Sequence, residues 1–117
     1  MCGIIACRTH QPAIDFLNVG LRRLEYRGYD SVGVALQTAS GEVARLRTVG
    51  RIAALDRLVR DWSGAPFNGV GIGHTRWATH GSVTEANAHP HTDCTGRIHL
   101  VHNGIVENGF ELRRELT

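Results

Sequence analysis

Residues 2–8, with the sequence CGIIACR, form a short apolar run that begins at the second position of the chain. A run of this length and composition is typical of a buried β-strand. It is much too short for a signal peptide or a membrane-spanning helix, and no basic segment precedes it. We therefore expect a first strand that starts at a cysteine, in a cytoplasmic protein that binds no membrane.

The spacing of apolar residues predicts two helices and a hairpin after this strand. A first helix opens at Pro12, carries one apolar stripe and ends at Gly28. Strands at 31–37 and 42–49 are joined by a short turn, as in a β-hairpin. The second helix has its apolar stripe at Ile52, Leu55, Leu58 and Trp62.

The rest of the chain contains two more strands, a long loop and a last helix. Residues 69–76 form a strand with glycines on one face, which indicates the close approach of another backbone or a ligand. The polar, histidine-rich stretch 77–96 is a loop, and a strand follows at 98–102. Asn108 and Glu111 have the spacing of a capping box at the start of the last helix. The order β-α-β-β-α-β-β-α indicates the α+β class.

The composition is that of one globular unit. The 117 residues are 42% hydrophobic and 21% charged, enough for one small domain and one core. The net charge of +2 is too small to indicate a nucleic-acid partner. All 13 basic residues are arginine, and the lack of lysine excludes a P-loop and Schiff-base catalysis in this chain. Three cysteines, an odd number, favour reduced thiols.

Cys2 is a candidate nucleophile because removal of Met1 would give it a free α-amino group. A free cysteine has a pKa of about 8.5 and an α-amine one of about 7.7–8.0. The amine is then partly neutral at cellular pH and can take the thiol proton, so that one residue supplies both nucleophile and base. The ordinary alternative is an inert packing cysteine in a strand that begins early.

Asn103-Gly104 and Arg76 are candidates for the other parts of such a site. An acyl transfer needs an oxyanion hole, which a carboxamide and a glycine N–H can form, although Asn-Gly is also a common turn. Arg76 offers a planar, two-pronged donor for a substrate carboxylate, although a surface arginine is the ordinary interpretation.

Five sequence blocks can be compared with known families: 2–5 (CGII), 24–31 (LEYRGYDS), 74–81 (HTRWATHG), 87–91 (NAHPH) and 102–105 (HNGI). In this order they resemble the glutaminase domain of the glucosamine-6-phosphate synthase family, within the class II glutamine amidotransferases. The resemblance covers essentially the whole chain.

The resemblance implies a fold and a reaction. The fold is the αββα four-layer sandwich of the N-terminal-nucleophile hydrolases, an α+β fold of which residues 1–117 are only the first part. Cys2 attacks the side-chain amide of glutamine, and Asn103 with the N–H of Gly104 stabilises the oxyanion. Arg76 binds the substrate carboxylate. The remaining residues that shape the pocket are Trp77, Thr79, His80 and His89.

The resemblance also implies what lies beyond this site. No cofactor is expected in the glutaminase step, which releases glutamate and ammonia. The ammonia passes to a sugar-isomerising domain, absent from this chain, that converts fructose 6-phosphate to glucosamine 6-phosphate. The full-length protein is expected to be a homodimer. The chain departs from the family at Ala6-Cys7, and it ends before the acidic residue that holds the α-amino group of glutamine.

Three alternatives remain open from the sequence. The chain belongs to another class II amidotransferase, such as an amidophosphoribosyltransferase, or it is an inactive truncated remnant that does not fold by itself. The third alternative is a metal site, for which the expectation is that none is present. The residues that raise it are His74, His80, His89, His91, Cys94, His99 and His102.

Overall fold

A four-stranded antiparallel sheet forms the centre of the protein. In the computed structural model, which describes residues 2–78 and 81–117, the strands lie in the order β1-β4-β2-β3. The strands are β1 (Gly3–Arg8), β2 (Ser31–Thr38), β3 (Val43–Val49) and β4 (Phe67–Arg76). The first strand, predicted over residues 2–8, is confirmed with its start one residue later, at Gly3, and so is the hairpin of β2 with β3.

Two helices cover one face of this sheet. Helix α1 (Ala13–Leu24) begins after Pro12 and continues as a 3₁₀ turn up to Gly28, and α2 (Ile52–Arg60) follows the hairpin. The apolar stripes of the two helices meet the inward side chains of β2, so the predicted amphipathic patterns are confirmed. The buried core consists of Ala13, Leu17, Leu21, Val32, Val34, Leu36, Ile52 and Leu55.

The glycine face of β4 is the face on which α1 lies. A Cβ atom on Gly71 would lie 2.9 Å from side-chain carbons of Leu17 and of Leu36. Packed side chains, mainly from α1, are therefore what approaches the strand closely at Gly71. Because glycine has no side chain, the glycines of β4 allow α1 to lie close to the sheet.

The opposite face of the sheet carries the polar residues of β4, including His74 and Arg76. Beside it lies a small hairpin, β5 (His91–Thr92) with β6 (His99–Leu100). Helix α3 (Gly109–Leu116) follows the hairpin along the chain. The strand predicted at 98–102 is thus much shorter than expected, because its partner β5 has only two residues to pair with.

Two local predictions are wrong. The Asn108 side chain caps none of the described N–H groups of α3; only its carbonyl accepts, from Leu112 N at 3.0 Å. Trp62 lies beyond the end of α2, where its indole N–H donates to the Ala65 carbonyl at 2.9 Å and its ring stacks on Phe67. Both failures have one cause, since a turn and a cap depend on local backbone angles that residue spacing does not report. In the part of the chain that the structure describes, no helix is long and apolar enough to cross a membrane.

Candidate active site

A cavity of about 390 Å³ lies where β1 begins and β4 ends, on the face of the sheet away from the helices. The antiparallel register pairs Gly3 with Thr75, so the residue before β1 comes next to the last residues of β4. Predicted site residues that line the cavity are Cys2, Arg76, Trp77, His89 and Gly104. Asn103 contacts Cys2 directly, whereas Thr79 and His80 lie outside the described residues.

Cys2 is held at the cavity by the backbone of Trp77. The Trp77 N–H donates to Cys2 Sγ at 3.4 Å, and the thiol lies 3.6 Å from the Trp77 carbonyl oxygen. The indole ring of Trp77 packs edge-on against Tyr29, with 4.8 Å between the ring centroids. The sulfur therefore has a defined position although its residue is only half-buried.

Asn103 connects Cys2 with the centre of the sheet. Its Nδ2 donates to the carbonyl oxygen of Cys2 at 3.1 Å, and its Oδ1 lies 2.7 Å from Nε2 of His74. Gly104 follows with a φ of 148°, a backbone conformation that favours glycine. The Asn-Gly pair predicted as an oxyanion hole thus lies directly beside the candidate nucleophile.

Arg76 forms the wall of the cavity at the end of β4. Its side chain is only 8% exposed, and its guanidinium donates to the carbonyl of Ser82 at 3.0 Å. Asp30, directly before β2, supports this segment: its N–H donates to the Arg76 carbonyl at 2.9 Å, and its carboxylate accepts from Ala78 N at 2.6 Å. Asp30 was missed as a site residue, although it belongs to the block 24–31.

Three histidine rings lie against one another at the base of the cavity. The ring of His89 lies 4.3 Å from the ring of His74, nearly parallel to it, and 4.3 Å from that of His91. Burial, followed by the nearby charges of other histidines and Arg76, lowers the pKa of His89 to about 3. Burial also lowers the pKa values of His74 and His91. The stack is therefore neutral at neutral pH.

The backbone of His89 crosses the sheet at Gly33. A Cβ atom at Gly33 would lie 2.0 Å from the His89 carbonyl oxygen, so any larger residue would push the loop away. Arg47, on the neighbouring strand, donates to the carbonyl of Ala88 at 2.9 Å and holds the same stretch of loop. The small residue in β2 is thus what allows the histidine stack to form.

Two of the histidines considered as metal ligands, His74 and His89, have stacked rings. Stacked imidazoles point their faces, rather than their nitrogen lone pairs, at one another. Within residues 2–78 and 81–117, no group of three or more His, Cys, Asp or Glu side chains could hold a metal ion.

The fold has a counterpart among solved structures. The glutamine phosphoribosylpyrophosphate (PRPP) amidotransferase from B. subtilis matches it with a TM-score of 0.76 over 99% of this chain and 24% of that one. The identity is 23%, so this likeness concerns the fold alone. The fold is the first part of the N-terminal-nucleophile amidotransferase fold, as predicted from the sequence.

Sequence comparison relates the chain to one group of enzymes. No family model matches the chain. The chain is 53% identical over 117 residues to the glutamine–fructose-6-phosphate aminotransferase [isomerizing] of Gluconobacter oxydans. It is 54% identical over 116 residues to that of Neisseria meningitidis and 52% over 117 residues to that of Pyrococcus horikoshii. These alignments include 98–99% of this chain but only 18–19% of the relatives. The chain is thus a relative of one part of the glutamine–fructose-6-phosphate aminotransferases, which confirms the resemblance seen in the five blocks.

Proposed function

We propose that this chain provides the glutaminase half-reaction of a glutamine–fructose-6-phosphate aminotransferase. Residues 1–117 are then part of a type-2 glutamine amidotransferase domain. The observation that carries the proposal is the contact of Asn103 with Cys2, beside a glycine with positive φ and on the edge of a cavity. The relatives' names supply the particular reaction.

The first chemical step is acylation of Cys2. After removal of Met1, the α-amine of Cys2 takes the thiol proton, and Sγ bonds to the side-chain carbonyl carbon of glutamine. The negative charge that develops on the carbonyl oxygen is stabilised by N–H donors of Asn103 and Gly104. The C–N bond then breaks and the nitrogen takes the proton from the α-amine of Cys2. Ammonia departs, and a thioester between Cys2 and the glutamyl group remains.

The second step is hydrolysis of the thioester. The same amine takes a proton from water, the hydroxide adds to the acyl carbon, and collapse of the intermediate breaks the S–C bond. Glutamate leaves, and the thiol regains its proton. No cofactor enters either step, since the chemistry needs only a nucleophile, a base and the oxyanion donors.

We assign substrate binding to Arg76 and to the rings of Trp77 and His89. Arg76 binds the α-carboxylate of glutamine through its planar guanidinium, supported by its near-complete burial at the cavity wall. Trp77 and His89 shape the pocket. Thr79 and His80 are proposed as pocket residues from their place in block 74–81 alone.

The relatives' names carry the proposal further. The ammonia aminates fructose 6-phosphate to glucosamine 6-phosphate in a sugar-isomerising domain of the full-length protein. That protein is a cytoplasmic homodimer in this proposal, with no nucleic-acid or membrane partner.

Labelling with a glutamine-mimicking electrophile tests the nucleophile. The full-length protein is treated with the electrophile, digested and analysed by mass spectrometry, with Cys7 and Cys94 as internal controls. We expect modification of Cys2, with loss of ammonia release and protection by free glutamine. A general thiol reagent should instead modify the exposed Cys94. Preferential labelling of Cys7 or Cys94 by the glutamine mimic would contradict the proposal.

Replacement of Asn103 tests the oxyanion hole in the same protein. Asn103→Ala should lower the turnover of glutamine by about 10²–10³-fold, the usual effect of losing one donor. Glutamine binding should change much less. Asn108→Ala is the matched control, because that side chain caps none of the described residues of α3. Normal turnover with a large loss of affinity would instead make Asn103 a binding residue.

A further inference from the structure

We infer that His74 is a positioning residue for this reaction, because its ring sets the orientation of the Asn103 carboxamide beside Cys2. The inference rests on the proposed glutaminase function. It adds a residue from the central strand to a site whose other members lie at the chain start, at a strand end and in a loop.

The orientation of the amide follows from its two partners. The carbonyl oxygen of Cys2 can only accept a hydrogen bond, so the Asn103 atom 3.1 Å away is the amide nitrogen. The amide oxygen then faces Nε2 of His74 at 2.7 Å, and Nε2 must carry the proton. A flipped amide would bring oxygen against oxygen on one side and N–H against N–H on the other.

His74 is rigid enough to fix this orientation. It is 1% exposed and lies in β4, paired with Ile4 of β1 on one side and with Gly33 of β2 on the other. Its ring stacks on His89 with an angle of 23° between the ring planes. Asn103, by contrast, lies in an exposed stretch outside the helices and strands. The strand therefore gives the exposed Asn103 a buried and fixed partner.

This order matters because oxyanion stabilisation depends on donors that are already in place before the charge develops. The amide nitrogen of Asn103 has two hydrogens. One bonds the Cys2 carbonyl, and the second is available to the oxyanion only while the amide keeps this orientation. Loss of the His74 donor should therefore reduce turnover while Arg76, the residue assigned to the glutamine carboxylate, stays in place.

Two substitutions at His74 separate this role from simple packing. In the full-length protein, His74→Phe keeps an aromatic ring against His89 but removes the donor. His74→Gln offers an amide N–H near the place of Nε2. We expect His74→Phe to lower kcat for ammonia release by about 10²-fold, close to the loss of the oxyanion donor itself. The KM for glutamine should change little, and His74→Gln should recover most of the loss.

A double-mutant cycle with Asn103→Ala gives the decisive comparison. If His74 acts through Asn103, adding His74→Phe to the Asn103→Ala protein should cause no further loss. An equal, additional loss in that background would show an independent structural role and overturn the inference. A His74→Phe protein with normal kcat would also overturn the inference.

A measurement on the unsubstituted protein covers the case in which the variants do not fold. ¹⁵N chemical shifts of the His74 ring should show the neutral tautomer with the proton on Nε2; a proton on Nδ1 alone would overturn the inference. Failure of the proposed function looks different. In that case, Asn103→Ala itself leaves turnover unchanged, or the glutamine mimic does not label Cys2.

Discussion

The ring of His89 is surrounded by groups that oppose its protonation. Two imidazoles lie 4.3 Å away, and Arg76 contributes a positive charge nearby. Its Nδ1 accepts from the backbone N–H of His102 at 3.3 Å, which uses the lone pair that a proton would need. At the scale of single residues, the cavity therefore contains a histidine, His89, that stays neutral.

This environment predicts a dependence of stability on pH. The pKa of His89 is about 3 in the folded protein, because of burial and nearby positive groups, against the ordinary histidine value of 6.5. Between these values the unfolded chain binds a proton that the folded chain does not, so the free energy of unfolding rises with pH through this window and levels off above about 6.5. Acidification from pH 7 to pH 5 should therefore lower the urea midpoint of the full-length protein.

The contribution of His89 can be isolated by substitution. His89→Phe keeps a ring in the stack but cannot be protonated, so the midpoint should fall less on acidification. Part of the dependence should remain, because burial also lowers the pKa values of His74 and His91. Gln11→Ala, at an exposed position without a titratable group, serves as the control and should leave the dependence unchanged. A steeper pH dependence in His89→Phe would contradict this account.

At the scale of elements, the contact of α1 with β4 decides how close the helix layer lies to the sheet. Leu17 and Leu21 of the helix are fully buried over the glycine positions of the strand. The helix has a clear apolar stripe, but its distance from the sheet depends on the strand beneath it. The two elements therefore specify their packing together.

Gly71→Val should destabilise the domain by forcing this contact apart. The new Cβ would lie 2.9 Å from carbons of Leu17 and Leu36, and overpacking of this kind costs about 1–3 kcal/mol. Val70→Thr, at the neighbouring and exposed position, should cost no more than about 0.5 kcal/mol. Urea unfolding of the two variants measures the difference. Equal stability of Gly71→Val and the unsubstituted protein would show that the helix can move outward at no cost.

At the scale of the whole molecule, the two faces of the sheet differ in how they are covered. The helix face has a closed core, whereas apolar side chains remain exposed in the small hairpin, in the loop after it and in α3. Phe110 is 76% exposed and Leu116 is 85% exposed, both in α3. Further exposed apolar side chains are Ile98, Leu100, Ile105 and Val106.

We predict that a protein of these 117 residues alone associates instead of remaining a stable, active monomer. Exposed apolar patches and open sheet edges favour association, and domain stabilities are only about 5–15 kcal/mol. Sedimentation and binding of an apolar dye measure this. A double substitution, Phe110→Ser with Leu116→Ser, should reduce dye binding, whereas Glu115→Gln on the same helix should not. A monodisperse protein with a sharp thermal transition and glutaminase activity would contradict the prediction.

The sequence by itself determined the elements and most of the candidate site. Helical and strand periodicity is a local property, so α1, α2 and the strands up to Arg76 could be placed from the spacing of apolar residues. Cys2, Asn103 and Gly104 became candidates through their chemistry, and the five sequence blocks taken together decided the choice. The capping box expected at Asn108 failed because residue spacing does not determine side-chain geometry at a helix end.

Only the tertiary structure decided how these residues act on one another. The bond of His74 to Asn103 joins positions 29 residues apart, and that of Asp30 to Ala78 joins positions 48 residues apart. Such contacts arise from the order of strands in the sheet and from the register of each pair, which no local pattern encodes. In the sequence, Gly33 is an ordinary small residue of a strand. Only the structure shows that the backbone of His89 crosses above it. Spacing alone makes the histidines candidate metal ligands, whereas only packing decides that the ring faces of His74 and His89 meet.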